Sequence, residues 1–230
     1  MNIPIFCINL ERATERKEKI LKKWVIEYKL DIIFWKAYDK LEIEKNNYIY
    51  SYDLDATIIA NGRPMNTGEI ACATSFCMLY EYALLNNLKE IIVMEDDASP
   101  VGDIKNIFKL IEFGKEEFPE SQIFLLFEPD KVWTKRFTPE EYFYEKKQYF
   151  SLCKNAPWGN QLIYLNNKGI KVLYDILKHM TMPADKPHQK ILCDQKIVSI
   201  INDPLAKHNW SGYTYIGNEY RKTNRKYIND

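Results

Sequence analysis

A short hydrophobic run that ends in three consecutive carboxylates constrains this chain more than any other feature. Residues 91–94 are Ile, Ile, Val and Met, and Glu95, Asp96 and Asp97 follow directly. A β-branched run without polar alternation is typical of a strand in a parallel sheet that is covered by helices on both faces. In open sheets of this kind, ligands bind beyond the carboxyl ends of the strands. The three acids are therefore predicted to lie where a ligand would bind.

The chemistry of three adjacent carboxylates offers two interpretations. Their negative charges repel one another, and Mg²⁺ or Mn²⁺ prefers carboxylate oxygens and accepts substrate phosphates as its remaining ligands. This interpretation predicts a site for a metal and a diphosphate. The alternative is a solvated turn after a buried strand, which composition alone favours because most acidic clusters are simply hydrated.

The charge balance of the chain argues against partners that are recruited by a global electrostatic field. Lys and Arg together number 32, and Asp and Glu together also number 32, so the formal net charge is zero. Proteins that bind nucleic acid usually carry a basic patch or excess. The basic residues at 12–23 and 221–226 are interpreted as a charged helix face and a solvated tail. We therefore expect no nucleic-acid partner.

Neither a secretion signal nor a membrane span is predicted. The first apolar run, residues 5–10, is too short for the core of a signal peptide and lacks a basic start. No stretch approaches the ~18 uncharged residues that a membrane span needs. The five cysteines form no Cys-x-x-Cys pair, so we expect a reducing compartment and no structural zinc. The prediction is a cytoplasmic protein with at most peripheral contact to the inner face of a membrane.

The first forty residues follow a strand–helix–strand order. Residues 3–9 and 32–36 are apolar runs of strand length, and residues 12–29 carry apolar side chains at helical spacing. This is the β-α-β order of a Rossmann-like half-domain. Residues 40–65 are polar with several turn signals, so we expect a long irregular connection with a functional role.

Asn66 and Glu69 predict the start of a helix. An N-cap residue three positions before a glutamate is the pattern of a capping box, and the following residues up to Leu85 fit a helix. Glu69 is interpreted first as a capping residue, with ligand binding as the alternative.

The remainder of the chain alternates between apolar runs and polar connections. The predicted elements are a helix at 103–117, a strand at 123–127, an excursion or lid at 129–147, strands at 148–153 and 161–165, a helix at 167–178, and a short helix near 193–201. The last thirty residues are expected to be irregular. No repeat or shift in composition divides the chain, so we predict a single α/β domain over residues 1–230 with a mostly parallel central sheet.

Several motifs occur in an order that is more specific than any one of them. They are Ile8-Asn9-Leu10-Glu11-Arg12-x3-Arg16, Gly68-Glu69-Ile70-Ala71-Cys72-Ala73-x-Ser75, Val93-Met94-Glu95-Asp96-Asp97-Ala98, the segment 156–173 with Tyr164-Leu165-x2-Lys168-Gly169, and Asp194 after a loop that contains proline. Together they resemble glycosyltransferase family 25, which includes lipooligosaccharide galactosyltransferases and collagen hydroxylysine galactosyltransferases. The resemblance covers nearly the whole chain. One position departs from it, because the family usually has His after Ser75 and this chain has Phe76.

The resemblance implies a GT-A fold, a Rossmann-like sandwich that binds a nucleotide-sugar through an acidic motif and a divalent metal. It implies an inverting transferase that uses Mn²⁺ or Mg²⁺ and moves galactose or glucose from a UDP-sugar to a hydroxyl of a glycan, such as lipooligosaccharide, or of hydroxylysine. Residues 1–100 would form the nucleotide-sugar half, and residues 101–230 the acceptor half with a C-terminal tail. The alternative is an inactive nucleotide-sugar-binding or scaffolding module, which Phe76 supports.

The resemblance also suggests a role for each candidate residue. The expected metal ligands are Glu95, Asp97 and His208. The expected donor-binding residues are Asn9, Leu10, Arg12, Arg16, Glu69, Ser75 and Asp96. The expected catalytic base is Asp194, an isolated acid that neighbouring apolar residues could hold partly buried.

A purely structural role stays open for several of these residues. Arg12 and Arg16 could belong to a charged helix face. Asp194 could cap a following helix, and His208 could be an ordinary surface histidine. Three aromatic side chains could stack on a sugar ring or could simply be buried. These are Trp158, Tyr164 and Trp210.

Overall fold

The strands of the protein form one large sheet and one small sheet. The computed structural model describes residues 3–45, 49–129, 138–188 and 191–208. In these ranges the strands are β1 (Ile5–Asn9), β2 (Ile32–Lys36), β3 (Glu90–Glu95), β4 (Ala98–Pro100), β5 (Ile123–Leu125), β6 (Phe143–Lys146), β7 (Phe150–Cys153), β8 (Leu162–Asn166), β9 (Val198–Ile201) and β10 (Ala206–His208).

The large sheet has eight strands in the order β2-β1-β3-β8-β5-β9-β7-β6. Strands β8 and β7 run antiparallel to their neighbours, and the other six strands share one direction. The predicted α/β class with a mostly parallel central sheet is therefore confirmed. Strands β10 and β4 form the small sheet as an antiparallel pair.

In the described residues, the helices lie between these strands along the chain. They are α1 (Thr14–Ile20), which continues as a π-helical segment (Leu21–Glu27), α2 (Lys40–Glu44), α3 (Leu54–Asn61), α4 (Thr67–Leu85), a 3₁₀ turn (Ile104–Asn106), α5 (Ile107–Glu117), α6 (Pro139–Tyr142) and α7 (Asn167–Leu177). Within the described ranges, no helix combines the length and the apolar character that crossing a bilayer requires.

The central strand β3 is buried as its sequence predicts. Ile91, Ile92, Val93 and Met94 are each 0% exposed. Helix α4 leads into this strand and packs against α7. It begins with the predicted capping box, in which the Asn66 side chain accepts from the Glu69 backbone N–H and the Glu69 side chain accepts from the Asn66 backbone N–H. The box fixes the end of α4 that faces the carboxyl edge of β1 and β3.

Three predictions of secondary structure were wrong. The last thirty residues are not irregular throughout, because Ala206–His208 form strand β10, which pairs with β4. The short helix near 193–201 is not formed, because residues 198–201 are strand β9, which inserts between β5 and β7. A short apolar run cannot be assigned to helix or strand by periodicity alone. The supposedly irregular residues 40–65 contain α2 and α3, each capped by an aspartate side chain, Asp39 and Asp53. Of the predicted lid, residues 130–137 lie outside the described residues.

Candidate active site

A cavity opens at the carboxyl ends of β1 and β3. The two strands are parallel neighbours with Ile8 opposite Glu95, so the residues that follow each strand emerge at the same edge. The cavity has a volume of about 260 Å³. Eight of the predicted site residues line it, namely Leu10, Arg12, Arg16, Ser75, Glu95, Asp96, Asp97 and His208. The location therefore follows from the strand order and register.

The three consecutive acids have different surroundings. Asp96 is buried and turns toward the protein, where it accepts a hydrogen bond from Asn9 Nδ2 at 2.8 Å and one from Arg16 Nη1 at 2.6 Å. Asp97 faces the other way, and its Oδ2 lies 3.2 Å from His208 Nε2. Asn9 does not line the cavity, and it acts on the site through Asp96. Asp96 therefore anchors the turn, while Glu95 and Asp97 face the cavity.

His208 reaches this site through the small sheet. Strand β10 pairs with β4 so that His208 lies opposite Ala98, the residue after Asp97. Asp97 and His208 are thus brought together from positions that are far apart in the sequence. The structure thus places His208 beside the acidic motif, and its role as a metal ligand stays a prediction.

The cavity concentrates negative charge. Burial raises the pKa of Glu95 well above its usual range, and the carboxylates of Asp97, Asp185 and Asp96 raise it further, whereas Arg16 opposes the rise. Burial is also the main cause that raises the pKa of Asp185 and of Asp96. Carboxylates that are expensive to ionise in the empty protein would be stabilised in their charged form by a bound cation.

The residues of the acidic edge fit a divalent cation that shares its ligands with a substrate. Asp97 Oδ1 is buried, yet it accepts no hydrogen bond from the described residues. Among the residues that the structure describes, no three His, Cys, Asp or Glu side chains form a group that could hold a metal ion by themselves. Mg²⁺ is usually held by one or two carboxylates, with substrate phosphates and waters as its remaining ligands. Asp97, whose Oδ2 lies 3.2 Å from His208 Nε2, matches that incomplete arrangement.

Both arginines of the first motif are held by carboxylates. Arg12 makes two hydrogen bonds to Asp39, at 2.6 and 3.1 Å, and this pairing lowers the pKa of Asp39. Arg16 binds Asp96, and its Nη1 also lies 3.6 Å from Asp97 Oδ2. Both guanidinium groups therefore line the cavity and are oriented by carboxylates. This arrangement favours a role at the site over the alternative of a solvated helix face.

Ser75 and its neighbour Phe76 build the wall that α4 presents to the cavity. The Ser75 hydroxyl donates to the carbonyl of Ala71 and accepts from the backbone N–H of Tyr38, both at 2.8 Å. It thereby ties the segment after β2 to α4. Phe76 is 1% exposed and packs against Tyr80, with ring centroids 6.0 Å apart. A residue that replaces the usual histidine thus serves as packing here.

Glu69 is engaged at the start of α4 and does not line the cavity. Beyond its capping role, its carboxylate forms a two-point ion pair with Arg63, at 2.6 and 2.8 Å. These contacts account for both carboxylate oxygens. The structure therefore agrees with the capping interpretation that the sequence favoured.

Asp194 lies outside the cavity, contrary to the partly buried position expected for a catalytic base. Its side chain is exposed, although the preceding Leu192 and Cys193 are buried. The chain turns at residues 191–196, where Lys196 adopts a φ of 58°. No helix follows for Asp194 to cap, so neither sequence interpretation describes it.

Asp185 occupies the cavity instead, and sequence reasoning missed it. Its Oδ2 accepts a hydrogen bond from the backbone N–H of Gly159 at 3.1 Å, and both residues line the cavity. The available signal was an acid isolated between Pro183 and Pro187. An acid in such a loop cannot be assigned to the site from sequence, because the Gly159 amide that orients it comes from a distant segment.

The three candidate aromatic residues have different surroundings. Tyr164 is 1% exposed, and its hydroxyl donates to Glu90, so it belongs to the core. Trp210 lies outside the described residues. Trp158 is 50% exposed and directly precedes Gly159 at the cavity.

His188 supports Gly159 from the side opposite Asp185. It is 1% exposed, and its Nε2 lies 3.2 Å from the carbonyl oxygen of Gly159, to which it would donate as the Nε2–H tautomer. Burial lowers the pKa of His188 to about 4. The histidine is therefore neutral at physiological pH, and its hydrogen bond holds the carbonyl of the residue whose N–H binds Asp185.

Acidification should destabilise the protein through His188. Below the reference pKa of 6.5, the unfolded chain binds a proton there that the folded protein binds only near pH 4. The stability contributed by neutral His188 is full above about pH 6.5 and is lost toward pH 4, by up to about 3 kcal/mol. Urea unfolding at several pH values should show a shallower pH dependence in His188→Gln than in wild type. The exposed His179→Gln is the matched control, and equal slopes for all three proteins would contradict the prediction.

Comparisons with known proteins were made by sequence and by structure. Residues 2–187 match the sequence model of a family described as "Glycosyltransferase family 25 (LPS biosynthesis protein)". A protein of Anopheles gambiae named "Glycosyltransferase 25 family member" is 33% identical over 99 residues, which are 40% of this chain and 16% of that protein. A protein of Aedes aegypti with the same name is 29% identical over 135 residues, which are 50% of this chain and 22% of that protein. The matches thus span less than a quarter of either relative.

Among solved structures, that of mouse xyloside xylosyltransferase 1 is 12% identical to this chain. The superposition covers 86% of this chain and 84% of that chain, with a TM-score of 0.40. A likeness at this level carries no argument about function.

Proposed function

Because the chain belongs to glycosyltransferase family 25, we propose that it transfers a hexose from a UDP-sugar to a hydroxyl group of an acceptor. The observation that carries this proposal is the meeting of Asp97, His208 and Asp185 around one cavity at the carboxyl ends of β1 and β3. Such an edge is where α/β sheets bind their ligands. It combines a place for a cation with a half-buried carboxylate, Asp185, in the same cavity.

The donor would bind with its diphosphate at the acidic edge. Asp97 is the first choice to hold Mn²⁺ or Mg²⁺, with His208 or Glu95 as a second ligand and substrate phosphates as the rest. When bound, the cation would neutralise the charge that develops on the departing diphosphate. Asn9 and Asp96 fix the turn that presents Asp97, and Arg16 stabilises that turn from the first helix.

The remaining wall of the cavity would accommodate the nucleoside. Leu10 and Arg12 line it from the end of β1, and Ser75 holds the backbone of Tyr38 in place. Arg12 keeps a fixed orientation through Asp39, so its outer edge could meet the ribose or uracil without reorganisation. Glu69 supports the wall indirectly, by capping α4.

Asp185 replaces Asp194 as the proposed general base. In the transfer, the acceptor oxygen forms a bond to the anomeric carbon while the bond from that carbon to the diphosphate oxygen breaks. UDP leaves with the electron pair of that bond, and the proton of the acceptor hydroxyl passes to the Asp185 carboxylate. Attack from the face opposite UDP inverts the configuration. The raised pKa of Asp185 supports this role, because it makes the carboxylate a stronger base.

The sugar and the acceptor are proposed only by class. Galactose and glucose differ at one hydroxyl, and either would fit a UDP-hexose site. The acceptor would be a glycan such as lipooligosaccharide, or hydroxylysine, with the reaction in the cytoplasm or at the inner face of a membrane.

A donor-turnover assay tests the proposal. The protein is incubated with UDP-galactose or UDP-glucose, Mn²⁺, and either methyl β-galactoside or free hydroxylysine, and released UDP is measured. We expect acceptor-dependent release of UDP with at least one combination. UDP binding without any turnover would instead favour a nucleotide-sugar-binding module, the alternative that Phe76 raised.

A further inference from the structure

Trp158 is a large aromatic residue on the segment that leads into the cavity. It is 50% exposed, whereas Trp24 is 1% exposed. Single exposed hydrophobic residues are common on protein surfaces and need no explanation by themselves. The exposure of Trp158 is informative because the next residue, Gly159, lines the cavity.

The backbone around Gly159 is held on three sides. Its N–H donates to Asp185 Oδ2 at 3.1 Å, and its carbonyl oxygen lies 3.2 Å from His188 Nε2. Gly159 has a φ of +109°, and a Cβ at this position would lie 2.4 Å from Oε1 of Gln161. The two hydrogen bonds and the positive φ restrict the backbone of this segment. The Cα of Trp158 is therefore held in place before a ligand binds, which lowers the entropic cost of contacting one.

The same hydrogen bond fixes Trp158 relative to the proposed base. The amide that binds Asp185 is the peptide bond between Trp158 and Gly159. Standard backbone geometry then puts the Cα of Trp158 within about 6 Å of the Asp185 carboxylate. Trp158 therefore lies beside the proposed base, on the segment that leads into the cavity.

We propose that Trp158 is the acceptor subsite and that its indole ring stacks on the pyranose ring of a saccharide acceptor, whose hydroxyl then faces Asp185. This inference rests on the proposed transferase function and narrows its acceptor to a sugar. The face of an indole ring is electron-rich, and one face of a pyranose presents C–H groups that suit it.

The test is binding of methyl β-galactoside, measured by saturation-transfer NMR in the presence of UDP and Mg²⁺. Wild type should transfer saturation to the ring protons, and Trp158→Phe should keep most of the effect. Trp158→Ala should weaken binding of the pyranoside at least tenfold while UDP affinity stays unchanged. Tyr144→Ala is the matched control, because Tyr144 is 42% exposed on β6, the edge strand at the far end of the sheet from β1.

The possible results separate the two proposals. Equal pyranoside binding by wild type and Trp158→Ala, with UDP binding intact, would overturn the acceptor subsite and leave the transferase proposal standing. Dependence of hydroxylysine binding, rather than pyranoside binding, on Trp158 would overturn the assignment to a sugar. Failure of wild type to bind UDP at all would overturn the transferase proposal and, with it, this inference.

Discussion

Replacing Asp185 with Asn should lower kcat by about 10²–10⁴-fold, which is the usual contribution of a general base. The amide has the size of the carboxylate and can still accept the hydrogen bond from the Gly159 N–H, so the loop should keep its position. It cannot take the proton of the acceptor hydroxyl. The affinity for UDP should therefore stay within about twofold of wild type. Steady-state kinetics and calorimetric titration with UDP measure the two effects separately.

Asp194→Asn is the matched control for this experiment. Asp194 is exposed and lies outside the cavity, so its kcat should equal that of wild type. The opposite pattern, with Asp185→Asn active and Asp194→Asn inactive, would reject Asp185 as the base and return that role to Asp194.

Replacing Asp97 with Asn should abolish the dependence of UDP binding on a divalent cation. The substitution removes one negative charge and one strong cation ligand, while an amide can still contact His208. We expect UDP affinity in the presence of Mn²⁺ to fall by about 10²-fold, which is the upper end for losing a group that supports a metal site. Turnover should fall with it, because the leaving diphosphate would lose its partner. Calorimetric titration with UDP at fixed Mn²⁺ gives the affinity.

Asp203→Asn serves as the control for the change in charge. Asp203 is an exposed acid in the turn before β10, so its removal alters the net charge without touching the acidic edge. If Asp97→Asn bound UDP with the same cation dependence as wild type and Asp203→Asn, the cation would have to be held elsewhere.

The location of the site was predictable from sequence because it depends on local patterns. The run from Ile91 to Met94 marks a strand that is buried on both faces, and the chain leaves such a strand at the edge where ligands bind. The first strand and the helix after it follow the same rule, so Asn9 and Arg16 could be assigned to that edge. The register that pairs Asn9 and Arg16 with Asp96 needed the structure, because it is set by packing across the sheet.

The position of Asp185, the proposed base, in the cavity was not predictable, because it depends on contacts between distant segments. Asp185 and Asp194 are both acids in the same proline-containing stretch of the chain. What distinguishes them is the Gly159 amide, which binds Asp185 and belongs to a loop before β8. Patterns along the chain carry no information about that contact.

The mistaken helix near 193–201 has a related cause. Residues 197–201 form a short, mostly apolar run, and the periodicity of such a run fits either a helix or a strand. The segment forms a strand because β5 and β7 lie on either side of it and supply hydrogen-bond partners for its backbone groups. The capping box at Asn66 and Glu69 was predictable because all of its partners lie within four residues.

The measurement that tests the central claim most directly is a calorimetric titration of the wild-type protein with UDP, with and without Mn²⁺. If the cavity binds a UDP-sugar together with a divalent cation, UDP should bind at one site per chain with Mn²⁺ and at least tenfold more weakly without it. If UDP binds in neither condition, the chain still belongs to its family, but the proposed donor and the mechanism built on Asp97 and Asp185 are contradicted.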